Sequence, residues 1–239
     1  MAVLLDNDVV LKLAQLDLLA DGCKLLTSKY GQLYVLDTLV YQLRGKSSLR
    51  RYGAAALERV QQCLSQGTFL MFEELITDPR LIHLQNNFEN LDEGEMRLLQ
   101  GLLNHQDLLL SGDKRFLKAI AETGFIEDAA LNNRFVCLEQ VVCFLINELS
   151  LEHVNAKASL AFKGECRVDS ALRTCIGNGR THEHVVEGVL QQLRELPATL
   201  LSIELHWRLS PSSKMVLRKR AQTSCTFFLI VIWFRAYTQ

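Results

Sequence analysis

Five short apolar runs, at residues 2–5, 33–36, 68–72, 107–111 and 134–138, are separated by stretches whose apolar residues recur at helical spacing. Runs this short and this continuously apolar read as strands buried on both faces. Neighbouring parallel strands need a crossover of a dozen residues or more, which the helical stretches supply. The alternation therefore predicts an α/β fold: a parallel sheet flanked by helices. Helices are expected over 9–20, stopping near Asp21-Gly22, and over 49–66, closed by Gly67. Others begin at about Asp92 and at Asp113, and three more cover 139–150, 151–162 and 182–196. After residue 139 the next strand-like run is 200–205, so a boundary near 150 divides a first domain, 1–150, from a mainly helical extension, 151–239. The loosest composition lies at 163–184, which reads as a mobile connection.

A chain of 239 residues with 49% hydrophobic residues can bury a sizeable core. Its net charge of −1 excludes a global basic field, so any contact with nucleic acid must come from a local patch. The seven cysteines form no C-x-x-C pair, which argues against a zinc ribbon or a redox dithiol and for a reduced, cytoplasmic setting. Asp6 and Asp8 interrupt the first apolar run before a signal peptide's apolar region could form. Residues 214–239 join a basic cluster to an apolar run well short of the roughly 20 residues that a transmembrane helix needs. That tail reads as an element docked on the protein, with a membrane-surface or partner contact as the alternative.

The acids carry the chemistry. Asp6 ends the first strand, Asp37 the second, and Asp113 follows the fourth by way of Ser111 and Gly112. Glu95 stands in the first turn of the helix that leads to the fourth strand, and eighteen residues separate it from Asp113. One helix and one strand of that length return the chain to the same sheet edge. Asp92 opens a D-x-x-E capping box and reads as a helix cap. Carboxylates gathered at strand ends repel one another without a cation and suit Mg²⁺ or Mn²⁺, with Asp6, Glu95 and Asp113 as principal ligands and Asp8 and Asp37 as further ones. Ser111 is placed to hydrogen-bond a ligand. The cluster Arg44, Lys46, Arg50 and Arg51, together with Lys114, would meet a phosphate backbone. THEHVVEG at 181–188 has Val186 where H-E-x-x-H needs its second histidine, and the IGNG loop in the 170s lacks a preceding strand.

Asp6 with Asp8, Gly94-Glu95 and Ser111-Gly112-Asp113 resemble the recurring pattern of PIN-domain nucleases over roughly residues 1–140. The resemblance implies a PIN-like sheet and a metal-dependent nuclease that hydrolyses phosphodiester bonds, with single-stranded RNA as the expected substrate and DNA left open. It implies catalysis by Asp6, Glu95 and Asp113, and leaves open a protein regulator and self-association. In one place the chain departs from the pattern: Tyr41 and Gln42 stand where such nucleases often carry a further acid. That departure favours the alternative of a catalytically degenerate PIN-like scaffold that binds nucleic acid or protein. The D-x-D opening also resembles haloacid-dehalogenase-like phosphatases, but no second acid follows Gly112-Asp113 within a few residues.

Overall fold

The computed structural model describes residues 2–88, 91–105, 108–164, 166, 168–177, 180–193 and 196. The strand expected at 200–205 and the basic and apolar tail lie outside them. Each strand comes from one of the predicted apolar runs: β1 Val3–Leu5, β2 Leu33–Leu36, β3 Leu70–Phe72, β4 Leu108–Ser111 and β5 Phe135–Cys137. All pairings are parallel and the order is β3-β2-β1-β4-β5.

Alternation along the strands builds two cores. Leu4, Leu36, Phe72, Leu109 and Phe135 join one apolar cluster with α6 (Pro79–Asn87), α7 (Glu93–His105), α8 (Lys114–Glu122) and α9 (Phe125–Asp128). Val3, Leu5, Val35, Leu108, Leu110 and Val136, on the other face, are equally buried. That face lies under α1 (Asn7–Gln15), α2 (Leu19–Tyr30) and α10 (Leu138–Leu149). Gly101 on α7 rests directly on the Phe72 ring, where a methyl group would overlap the ring carbons.

The helix expected over 9–20 is two helices. Asp17 adopts a left-handed φ of 59°, Leu18 N–H bonds Leu13 O and Asp17 N–H bonds Ala14 O, so α1 ends in a Schellman turn. Arg59 Nε holds the Asp17 carboxylate at 2.7 Å, and α2 then runs through Asp21-Gly22. The stretch 49–66 is likewise divided, at Gly53 with φ 86°, into α4 (Lys46–Tyr52) and α5 (Ala54–Ser65). Before it, α3 (Thr38–Leu43) starts straight from β2.

Beyond β5, α10 passes to α11 (Leu151–Lys163), α12 (Ser170–Cys175) and α13 (His182–Leu193). The predicted mobile connection thus contains a helix: Asp169 caps α12 through Ala171 N–H and Leu172 N–H. The described residues all belong to one compact unit. No described helix is long and apolar enough to cross a membrane.

Candidate functional site: an acid edge at the strand ends

In this strand order the connection from β1 runs to one side of the sheet and that from β4 to the other, so β1 and β4 flank the switch point. Chains leaving neighbouring strands in opposite directions open a crevice beyond the carboxyl ends. Leu5 is in register with Leu110, which brings Asp6 beside Ser111 one step further on. Asp6 N–H donates to Leu110 O at 2.9 Å. Ser111 Oγ donates to Asp6 Oδ2 at 3.0 Å and accepts from Asp113 N–H at 3.1 Å, so one hydroxyl links both strand-end acids.

Asp6 caps α1, accepting from Asp8 N–H. Burial pushes its carboxyl up to about 6, and the charges of Asp8 and Asp92 push the same way. Asp113 caps α8 through Arg115 N–H and Phe116 N–H. Burial opposes its ionisation, but those bonds and the Arg115 guanidinium outweigh it and hold the carboxyl below the usual range. Glu95 forms the predicted box with Asp92: Glu95 N–H donates to Asp92 Oδ1 at 2.8 Å, and Asp92 N–H donates to Glu95 Oε2 at 2.9 Å. Burial and the charges of Asp92, Asp113 and Asp6 raise Glu95 to about 8. Asp6, Glu95 and Asp113 therefore share one electrostatic neighbourhood, and no described cation pairs with Asp6 or Glu95.

The other candidates have partners of their own. Asp8 accepts Lys12 Nζ at 2.7 Å and Tyr52 Oη at 2.9 Å, with Arg51 at 3.5 Å. Lys12, almost fully buried, bridges from Asp8 to Asp169 at 2.8 Å. A side chain at 112 would strike Asp8 Oδ2 at 2.7 Å, so glycine lets this ion pair lie over the β4–α8 turn. Asp37, a candidate ligand by its place at a strand end, is neutralised by Arg97 at 2.8 Å and caps Thr38. Lys114 is half-buried, and its ammonium is engaged by Glu139 and Gln192, each at 2.7 Å. Arg44, Lys46 and Arg50 are exposed and have no ion-pair partner among the described residues, while Arg51 reaches the acid edge.

Neither a family model, nor a curated protein, nor a solved structure corresponds to the chain. The site stands on its own geometry.

The donors suit a hard divalent cation. They are oxygens only, two of the acids are raised towards neutrality, and the buried Asn7 Oδ1, on the residue that follows Asp6 in the chain, accepts no hydrogen bond among the described residues. As the side chains stand, no three acid, imidazole or thiolate groups among the described residues converge as a metal site. The Asp92 cap occupies only Glu95 Oε2, so Oε1 is the oxygen that could ligate, with water completing the shell. Of the acids and histidines in THEHVVEG, His184 and Glu187 are described at their side chains, and His184 Nδ1 accepts from Thr181 N–H.

Reading the sequence for acids missed Lys12, Arg97 and Tyr52, which decide which acids remain unpaired. The i,i+4 spacing of Asp8 and Lys12 was a visible signal for one of them. Arg97 and Tyr52 reach the edge only through the tertiary fold.

Proposed function

We propose that the acid edge hydrolyses phosphodiester bonds with Mg²⁺ or Mn²⁺, in the manner of a PIN-like ribonuclease acting on single-stranded RNA. The observation that carries the reading is the pairing of Asp6 and Asp113 through Ser111 at the switch point, beside a Glu95 that burial and like charge hold near 8. Asp6, Glu95 and Asp113 would hold the ion, which when bound polarises a phosphoryl oxygen and supplies hydroxide near neutral pH. The chain does the rest. Ser111 keeps Asp6 oriented, the Asp92 cap keeps Glu95 at the edge, and the exposed cations of α4 draw a polyanion towards it. A reduced, cytoplasmic setting goes with this reading; the six described cysteines are free.

Two observations favour a second reading. Arg97 neutralises Asp37, and among the described residues no three ligating groups converge, as in a scaffold that binds nucleic acid without cutting it. Labelled single-stranded RNA, incubated with Mg²⁺ or Mn²⁺ and wild type or Asp6→Asn, separates the two. Metal-dependent cleavage that Asp6→Asn lowers at least a hundredfold is the expected result. RNA bound in a salt-dependent way and never cut replaces the nuclease by the scaffold, and turnover of p-nitrophenyl phosphate alone replaces it by a phosphatase.

A further inference from the structure

Tyr41 has no structural task to explain its position. It is 71% exposed, on a helix that buries Leu39 and leaves Tyr41 and Gln42 to solvent. Its helix is nonetheless fixed to the acid edge. Asp37, which caps α3, is clamped by Arg97, and Thr38 Oγ1 accepts Asn7 Nδ2 at 3.0 Å, one residue from both Asp6 and Asp8. Tyr41 lies three residues further along, roughly 4.5 Å up the helix axis.

The chain around it is one-signed. Residues 38–52 contain Arg44, Lys46, Arg50 and Arg51 and no acidic residue. Arg44 follows Tyr41 at i+3, and Lys46 and Arg50 stand at i,i+4 on α4, so each pair shares a face. Arg51, 63% exposed at its side chain, extends from the end of α4 to Asp8 and joins the cationic strip to the acid edge.

We infer that Tyr41 is a stacking platform for an unpaired base, with Arg44, Lys46, Arg50 and Arg51 tracking the phosphates, so that the ligand of this edge is single-stranded nucleic acid. Stacking explains an exposed ring in a segment of exposed cations, because every base offers a π-face while the polyanion supplies the charge complement. A duplex keeps its base faces covered and offers the ring nothing. An anionic bilayer would meet the same charges, but α3 and α4 have six and seven residues, too short to lay a continuous apolar face in a lipid surface. The inference rests on the proposed function for the site it feeds, yet concerns binding alone.

The test is binding in EDTA, where nothing is cut. Fluorescence anisotropy compares a labelled single-stranded oligoribonucleotide, its DNA counterpart and the duplex against wild type, Tyr41→Phe and Tyr41→Ala. A 2-aminopurine in the strand reports stacking. Expected are tighter binding of single strands than of duplex, retention by Tyr41→Phe and a loss of about tenfold by Tyr41→Ala with recovery of the 2-aminopurine signal. The salt dependence should persist in Tyr41→Ala and flatten in an Arg44→Gln, Arg50→Gln double variant. Duplex bound as tightly as single strand, or Tyr41→Ala binding like wild type, overturns the inference and leaves the nuclease reading standing. No oligonucleotide binding, with phosphatidylserine vesicles bound through Tyr41 instead, overturns it in favour of a membrane. Tyr41-dependent binding without cleavage upholds it while the nuclease reading falls.

Discussion

Glu95 is asked to do two things at once. Its backbone N–H and one carboxylate oxygen complete the cap with Asp92, a contact that favours the ionised form. Burial and three neighbouring acids favour the neutral form and win, raising it to about 8 from 4.5. A carboxyl raised in the folded state contributes stability that is complete below its unfolded value and is lost as pH rises through its folded one. For Glu95 that window runs from about 4.5 to about 8. Glu95→Gln removes the charge and keeps an acceptor for Asp92 N–H. It should therefore be more stable than wild type at pH 8.5, by on the order of 1 kcal/mol after allowing for solvent screening, and level with it at pH 4.5. Urea unfolding at the two pH values measures the difference. Equal stability at pH 8.5 would mean that the three acids do not press on Glu95 in the metal-free protein. The same variant should lose metal-dependent cleavage, which distinguishes an acid kept for chemistry from one kept for a helix cap.

Among the elements, the strands and strand-end acids were legible because they depend on neighbours in sequence. A strand covered on both faces must be apolar throughout, and the residue after it must turn away, so Asp6 and Asp113 announce themselves. What was not legible comes from partners far along the chain. The break after α1 has no glycine to mark it; Asp17 takes the left-handed turn while Arg59 of α5 holds its carboxylate. Asp37 looks available in the sequence and is neutralised by Arg97 of α7. α6 carries a local signal of its own, Asp78 as cap with Pro79 in the first turn. α12, in a stretch read as mobile, is anchored by Asp169 on the buried ammonium of Lys12. Burial disfavours that ammonium, but Asp8 and Asp169 outweigh the cost and raise it. Lys12→Met leaves Asp8 and Asp169 without their shared cation and should cost about 3 kcal/mol or more. Asp169→Asn keeps the Lys12–Asp8 pair and should cost about 1 kcal/mol. If chemical denaturation at pH 7 finds Asp169→Asn as harmful as Lys12→Met, the lysine is held by α12 alone and the link to the acid edge is incidental.

Across the whole molecule, two groups of acids pull stability in opposite directions with pH. Asp21, Asp78, Asp113 and Asp169 are lowered: burial opposes all but Asp78 first, and basic or hydrogen-bonding partners prevail in each. Their contribution is present above 3.8 and is lost as pH falls below it. Asp6 and Glu95 are raised, to about 6 and about 8, and their contribution is lost as pH climbs through those values. Without divalent ions, stability should therefore peak near pH 4 to 5 and decline towards pH 8. A cation bound to ionised carboxylates reverses the upper half of that curve, since it binds the folded state and competes with the protons. Ten times its dissociation constant of Mn²⁺ stabilises by about 1.4 kcal/mol, which for a chain of this size is roughly 3 to 6 °C. Thermal unfolding should show that rise at pH 8 and little of it at pH 5. Asp113→Asn retains the cap on α8, because an amide oxygen still accepts from Arg115 and Phe116 N–H, but it removes one charge from the edge. Its Mn²⁺ response at pH 8 should fall below half that of wild type. A response that is equal at both pH values, or undiminished in Asp113→Asn, would locate the metal elsewhere on the protein and leave the acid edge with its repulsion unrelieved.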